Sequence, residues 1–275
     1  MSCLKIIKID KEPIEYIEYL TIPHAALTTQ TFQLPIYQGE IEGLPQSIDS
    51  IVVTSDLQGV CTFENDQTLL LGEVLAESLS LIYQIYFPNI QLKNSLAFLC
   101  GDLYANLEKR GSSGNPIQVW HAFSHIFQQV IGIAGNHDDF GKDLNQLKTI
   151  ENIHFLDNDL IEVAHLKIAG LSGIIGRVDK NFRRLEPEYL HAFEKRLKQQ
   201  PDLILTHLSP HLDEYGFLGE LQLTKILEQS AETLLCCGHS HWETSQAIML
   251  KNNTQILNAD SKVFILINKN RNYQK

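Results

Sequence analysis

Apolar and polar positions change period several times along this chain. Residues 4–9 (LKIIKI) and 14–20 (IEYIEYL) alternate and carry β-branched and aromatic side chains, which predicts strands. Residues 32–37 predict another, and Gly39, Gly43 and Pro45 punctuate the run behind it. From residue 51 a repeated unit begins, a short apolar run that ends in polar residues and gives way to helical spacing. IVVTSD (51–56) is the first such run, and Leu71, Val74, Leu75, Leu79 and Ile82 then predict a helix over 68–86. LAFLCGD (96–102), a helix over 116–129, VIGIAGNHDD (130–139), a helix over 187–199, LILTH (203–207) and LLCCGHSH (234–241) repeat the theme. Strands over 246–250, 254–258 and 262–268 follow without helices between them.

This alternation predicts a layered α/β fold with mixed sheets, whose strands deliver polar residues at their C-terminal ends. Five such ends lie between residues 56 and 241 and leave no room for a domain boundary. One domain over 1–275 is expected, with a strand-rich extension (1–50), a motif-bearing core (51–241) and terminal strands (242–275). The extension reads as edge strands, as a hairpin added to the core, or as an oligomer contact.

Charge narrows the partners. The 275 residues hold 22 Lys+Arg and 33 Asp+Glu, a net −11 at pH 7. Such a surface repels a polyphosphate backbone unless it keeps a basic stripe. The longest basic clusters are the pairs Lys109-Arg110 and Arg183-Arg184, which argues against nucleic acid as the main ligand. No segment approaches the roughly 20 apolar residues of a membrane span, and MSCLKIIKID has too short an apolar region for a secretory signal. Five cysteines (3, 61, 100, 236, 237) without a CxxC fit a reducing cytoplasm better than a disulfide framework or a zinc knuckle.

The strand ends carry the chemistry. They read Asp56-Leu57-Gln58, Gly101-Asp102, Gly135-Asn136-His137-Asp138, Thr206-His207 and Gly238-His239-Ser240-His241. Asp, Asn, Gln and His together make a mixed oxygen and nitrogen donor set. In an extended segment residues i and i+2 point the same way, so Asp56 with Gln58, and His239 with His241, are expected as ligand pairs. Each piece alone is weak, since Gly-Asp is a common turn and a lone strand-end histidine is usually structural. Five such ends in one order on one α/β scaffold are specific.

That order resembles the calcineurin-like metallophosphoesterases, whose pattern is D-x-H, GD, GNH(D/E), a lone His and GHxH. The resemblance covers roughly residues 51–241. It implies a four-layer αββα sandwich, two mixed β-sheets flanked by helices, with a dinuclear metal centre between the sheet edges. By this resemblance Asp56, Gln58 and His241 hold one metal, Asn136, His207 and His239 the other, and Asp102 bridges them. His137 then faces the substrate, stabilising the phosphoryl group or protonating the leaving oxygen. The implied activity is hydrolysis of a phosphomonoester, phosphodiester or pyrophosphate by a hydroxide that bridges the ions. Two divalent cations against Asp56, Asp102 and that hydroxide leave about +1 at the site, a local sink for a compact phosphate ester. Neither GxSxG nor HExxH offers a competing nucleophile or zinc site.

The departures from the pattern rank metals and substrates. Gln58 stands where most members have His, as in a bacterial branch with DxQ. An amide oxygen there tilts the first site toward Mn²⁺, with Fe, Mg²⁺ and Zn²⁺ as the other candidates, or weakens it enough to leave one metal. Hydrolases of ADP-ribose and CDP-alcohols in the same superfamily also look like DxQ here, which favours a small, nucleotide-derived substrate. Tyr104 is out of register for a metal-binding tyrosine, and Ala105 stands where protein phosphatases carry an acidic partner for the catalytic His. Asp138 or Asp139 is an orienter of His137, or else a turn aspartate. Asn106, Lys109 and Arg110 in one loop, and Arg177 in the Gly-rich loop 170–184, are the candidate substrate contacts. The competing readings are a nuclease and a non-catalytic binding or scaffold protein on a decayed version of the fold.

Overall fold

Period-two runs become two β-sheets laid face to face, because each central strand has an apolar side chain for both of its neighbours. In the computed structural model residues 4–23, 28–64, 67–109 and 111–271 are described. The chain runs through β1 (Lys5–Ile9), β2 (Glu15–Thr21), β3 (Gln30–Glu42), β4 (Ser50–Ser55), β5 (Val60–Thr62) and β6 (Thr68–Leu70) to α1 (Leu71–Tyr86). β7 (Leu96–Leu99), α2 (Ile117–Ile126), β8 (Gln129–Gly132), α3 (Asp143–Leu147) and β9 (Ile153–Phe155) follow. Next come β10 (Asp159–Val163), β11 (Leu166–Leu171), β12 (Ile174–Ile175), β13 (Arg183–Arg184) and α4 (Glu186–Leu197). The chain closes with β14 (Leu203–Thr206), α5 (Leu221–Glu228), β15 (Leu234–Cys237), β16 (Ile248–Met249), β17 (Gln255–Asn258) and β18 (Lys262–Asn268).

The first sheet has the order β6-β5-β2-β3-β18-β4-β7-β8-β9, with β1 also on β3, and the second β10-β11-β14-β15-β17-β16. β4, β7, β8 and β9 are parallel, as are β11, β14, β15 and β17, so each sheet gathers its C-terminal strand ends on one edge. Antiparallel β18 against β4 and β16 against β17 make both sheets mixed.

Alternation sorts the side chains into layers. Ile51, Val53, Leu96 and Phe98 of the first sheet meet Leu203, Leu205, Leu234 and Cys236 of the second. The intervening Val52, Ala97 and Leu99 pack under α1 and α2, and Ile204, Leu235 and Cys237 under α4 and α5. α1 presents Leu71, Leu75, Leu79 and Ile82 to its sheet, and α4 presents Tyr189, Phe193 and Leu197, both at helical spacing. This is the four-layer αββα sandwich that the motif order implies.

Some elements depart from expectation. α1 starts at Leu71 because Thr68–Leu70 pairs with β5, and Glu73 Oε2 accepts the Leu70 N–H at 2.9 Å to cap the helix. The β10–β11 hairpin and α5 have no counterpart among the predicted elements. The strands before residue 51 are part of the first sheet, with β3 running parallel to β18 from Ile36↔Val263 onward. Among the described residues no helix is long and apolar enough to cross a membrane.

Candidate metal centre

Both sheets end at one place. β4, β7 and β8 of the first sheet lead into Asp56–Gln58, Asp102 and Asn136–His137, while β14 and β15 of the second lead into His207 and His239–His241. Single ligand atoms of Asp102, His207 and His239 lie within 4.8 Å of one another. The rings of His207 and His239 are 5.1 Å apart.

Asp102 divides its oxygens between two tasks. Oδ1 accepts the backbone N–H of His137 at 2.7 Å, which ties the GNHD loop to the GD loop. Oδ2 faces the ligand group, 3.2 Å from His207 Nε2 and 3.2 Å from the Gln58 amide nitrogen. His207 Nδ1 lies 2.8 Å from the Cys100 carbonyl, and a carbonyl accepts only, so Nδ1 carries a proton and Nε2 is the nitrogen left for a ligand. His241 is fixed the same way by Asp260, with Nδ1 2.8 Å from Oδ2. Asp56 Oδ2 accepts from Ser55 Oγ at 2.7 Å and from the His239 N–H at 2.9 Å.

Alternation does not bring these residues together. Asp56, Asp102 and His239 all adopt left-handed backbone (φ 55°, 54° and 68°), so the expected i, i+2 pairing of extended segments gives way to turns. That conformation costs about 1 kcal/mol for each L-residue. Gly135 and Gly238 permit the close approach: a Cβ on Gly135 would strike the Asp102 carboxylate, and one on Gly238 the Ser55 and Asp56 side chains.

The donor set fits metal ions. Asn136 Oδ1 is shielded from solvent with no hydrogen-bond partner, and the equally shielded His207 Nε2 meets the Asp102 carboxylate at 3.2 Å. An orphan such as the Asn136 oxygen costs about 1–3 kcal/mol unless a cation takes its lone pair. Charge points the same way. Burial pushes Asp56 well above the usual carboxylate range, and Asp260 and Asp102 add to that against His207. Burial also works to raise Asp102, but His207 and His137 hold it below its ordinary value. His207, which burial would discharge, is pushed up to about 10 by Asp102 and Asp56. Burial, followed by the His207 charge, brings His239 down to about 4. In the metal-free chain the His207 proton is the cation that balances these carboxylates.

A metal ion must displace that proton. Loading Mn²⁺ at pH 8 is expected to release protons, because His207 is charged there and must give up its proton to a metal ion. Calorimetry in two buffers of different ionisation enthalpy reads this directly. Identical heats in both would contradict it.

Asp138 neither orients His137 nor sits in a simple turn. Its carboxylate accepts the N–H groups of Asp102, Leu103 and Gly135, each at 2.9 Å, and so clamps two motif loops together. Asp139 does close a local turn, accepting the Gly141 N–H at 3.2 Å. Asp138→Ala strands three buried donors, an expected loss of about 3–6 kcal/mol and a fall in Tm on the order of 10 °C. Asp138→Asn, which keeps one acceptor oxygen, should lose less. Thermal melts of the two variants check this, and a Tm within about 2 °C of the parent for Asp138→Ala would contradict it.

The remaining predicted residues are dispersed. Asn106 lines a cavity that Gln58 also lines. Lys109 is exposed, and Arg177, 75% exposed, pairs with Asp179 at 3.5 Å. Arg110 lies outside the described residues. Asp56 and His241 stand outside the 4.8 Å group, and the His241 side chain is 65% exposed. Tyr104 packs its ring on Gly114, a packing and loop role.

Sequence reasoning passes over Asp260. It follows a sixth apolar run with a polar end, QILNAD (255–260), and its backbone bridges to Ser55 beside Asp56. Lys262, 6% exposed, donates to the carbonyls of Trp242 (3.0 Å) and Asp260 (3.1 Å) beneath the same loop.

Comparison with known proteins follows the same lines. The protein TT1561 of Thermus thermophilus superposes with a TM-score of 0.54 at 13% identity, covering 78% of this chain and 90% of that one. A hypothetical protein from Thermus thermophilus gives 0.45 at 16% identity, covering 76% and 75%. At these identities the likeness to TT1561 is one of fold. No curated relative matches the sequence. The model of the calcineurin-like phosphoesterases matches residues 50–243, a stretch that starts at β4 and ends just past His241, and the chain belongs to that family, which implies metal-dependent phosphoester hydrolysis.

Proposed function

We propose that this protein is a dinuclear metal-dependent hydrolase of a small phosphorylated molecule. One observation carries the reading: ligand atoms of Asp102, His207 and His239 lie within 4.8 Å of one another at the meeting of two sheet edges, with Asn136 Oδ1 shielded and unpartnered. Asn136, His207 and His239 would hold one ion, Asp56, Gln58 and His241 the other, and Asp102 both. When bound, paired divalent cations supply an acidified water and neutralise charge on the phosphoryl oxygens. The chain's own residues do the rest. Cys100 and Asp260 keep the histidine lone pairs aimed. Asp102 Oδ1 and the clamp of Asp138 hold the loop that carries His137. His137 faces the phosphoryl group, where it stabilises that group or protonates the leaving oxygen.

Gln58, with its amide turned so that the oxygen replaces the nitrogen beside Asp102, would supply a neutral oxygen donor, which supports Mn²⁺. The net charge of −11 supports a compact phosphate, nucleotide-derived species included, over nucleic acid. The four described cysteines are buried and free, which supports a reducing, cytoplasmic setting. A panel of phosphomonoesters, diesters and pyrophosphates with Mn²⁺, set against single-stranded DNA and RNA, tests the proposal. Small-molecule turnover is expected to lead by at least about tenfold, roughly what 1.4 kcal/mol of differential binding gives. Dominant nuclease activity at physiological salt would overturn the substrate class.

A further inference from the structure

Of the two ions, the one assigned to Asp56, Gln58 and His241 has the looser ligands. The His241 side chain is 65% exposed, and Gln58 is half-buried and ends in a neutral amide, a weaker hold on a cation than a carboxylate. Ligands of this kind serve an ion well only when other groups hold them in place. Both are held, and from parts of the chain outside the stretch 50–243 that matches the family.

His241 is gripped from the C-terminal side. Asn258, Asp260 and Lys262, alternate residues of the turn from β17 to β18, are buried polar side chains that meet three consecutive residues of the GHSHW loop. The Asn258 side-chain amide donates to the Ser240 carbonyl at 2.9 Å, Asp260 Oδ2 lies 2.8 Å from His241 Nδ1, and Lys262 Nζ donates to the Trp242 carbonyl at 3.0 Å. They are also tied to one another. Asn258 Oδ1 accepts the Asp260 N–H at 3.0 Å, and Lys262 Nζ donates to the Asp260 carbonyl at 3.1 Å. The imidazole is thus fixed at Nδ1 and the backbone on either side of it, which leaves Nε2 for a ligand. Burying a lysine is costly, and what this one obtains is a grip on the loop. The turn is seated beside Asp56, because the Ser261 N–H donates to the Ser55 carbonyl at 3.1 Å.

Gln58 is gripped from the N-terminal side. Thr21 Oγ1 donates to the Gln58 carbonyl at 2.8 Å, Leu20 pairs with Val60, and the Tyr19 ring lies on Gly59, where a Cβ would strike it. These contacts fix the backbone and leave the amide to turn its oxygen toward an ion. The two grips belong to one piece of sheet: β2 pairs with β3 over seven residues, and β3 pairs with β18, whose first residue is Lys262. By contrast, His207 rests on Cys100 and Asp102 on the His137 N–H, both inside the family stretch.

We propose that the end of β2 and the turn Asn258–Lys262, joined through β3 and β18, form one positioning element that sets the affinity of the ion at Asp56, Gln58 and His241. Thr21 and Asp260 are its positioning residues, and the ion at Asn136, His207 and His239 is left to the family motifs. This role rests on the dinuclear reading above and adds to it a reason for the flanking strands.

The test is a Mn²⁺ titration of the full chain without substrate, read by calorimetry and by electron paramagnetic resonance. The parent should bind two ions and give the spectrum of a spin-coupled pair. Asp260→Ala and Thr21→Val should each weaken one ion about 10–100-fold and leave the affinity of the other within about twofold. At a Mn²⁺ concentration that just fills both sites of the parent, each variant should give the spectrum of isolated Mn²⁺. Thr21→Ser, which keeps the hydroxyl, should restore the pair, and Asp260→Asn, which keeps an acceptor for Nδ1–H, should lose less than Asp260→Ala. Equal weakening of both ions, or an undiminished pair in either Asp260→Ala or Thr21→Val, overturns the proposal and leaves the dinuclear reading standing. A parent chain that binds one ion or none overturns both.

Discussion

Asp102→Ala is expected to abolish metal-dependent phosphoester hydrolysis, a fall of at least about 10³-fold, or some 4 kcal/mol of transition-state stabilisation. The size follows from where Asp102 stands. Its Oδ2 lies 3.2 Å from both His207 and Gln58, the two sides of the proposed ion pair. Its Oδ1 also holds the His137 backbone at 2.7 Å, so the substitution loosens the catalytic loop while it removes a ligand. Metal binding should fall with the rate. Asn136→Ala removes one ligand atom without touching that loop bond, and should weaken binding at one ion while losing most of the activity. Elemental analysis after desalting, run beside the rate measurement, separates the two effects. Undiminished turnover in both variants would sink the ligand assignment.

His137→Ala is the second large expectation, and it splits binding from chemistry. Turnover should fall about 10²–10⁴-fold, the range for loss of a positioned acid or base, with metal content unchanged. The backbone N–H of residue 137 still reaches Asp102 and its carbonyl still accepts from Gly114, so the loop keeps its place without the imidazole. The leaving group tells which role the ring has. If His137 protonates the departing oxygen, the loss should shrink for p-nitrophenyl phosphate, whose leaving group (pKa ~7) needs little help. An equal loss for alkyl and nitrophenyl esters would assign it to stabilising the phosphoryl group. Loss of metal in this variant would contradict its non-ligand place.

The layers were legible because β4, β7, β14 and β15 are short apolar runs in which both faces are filled, a pattern that demands cover on two sides. Their polar ends were legible because glycine beside Asp, Asn or His after such a run marks a turn that carries donors. The route by which those ends converge was not. Alternation predicts paired ligands on extended backbone, whereas Asp56 and His239 turn through left-handed conformations that depend on contacts from other strands, such as the bond from the His239 N–H to Asp56. Asp260 escaped for a related reason, since its role exists only once β17 is laid beside β15, and QILNAD lacks the glycine that marks the other ends. The β10–β11 hairpin went unread because its exposed edge strand carries polar and half-buried residues in a weak alternation. Strands before residue 51 were visible as strands, but their seating on Gln58 depends on Tyr19 meeting Gly59, a contact between residues 40 positions apart in sequence.

The central claim is a pair of ions at the meeting of the two sheet edges. Crystals of the full chain soaked in Mn²⁺, with data collected at the manganese absorption edge, test it most directly. Two anomalous peaks are predicted, one on each side of Asp102 Oδ2, the first against Asn136, His207 and His239 and the second against Asp56, Gln58 and His241. An anomalous map with a single peak or none beside Asp102 would contradict the account.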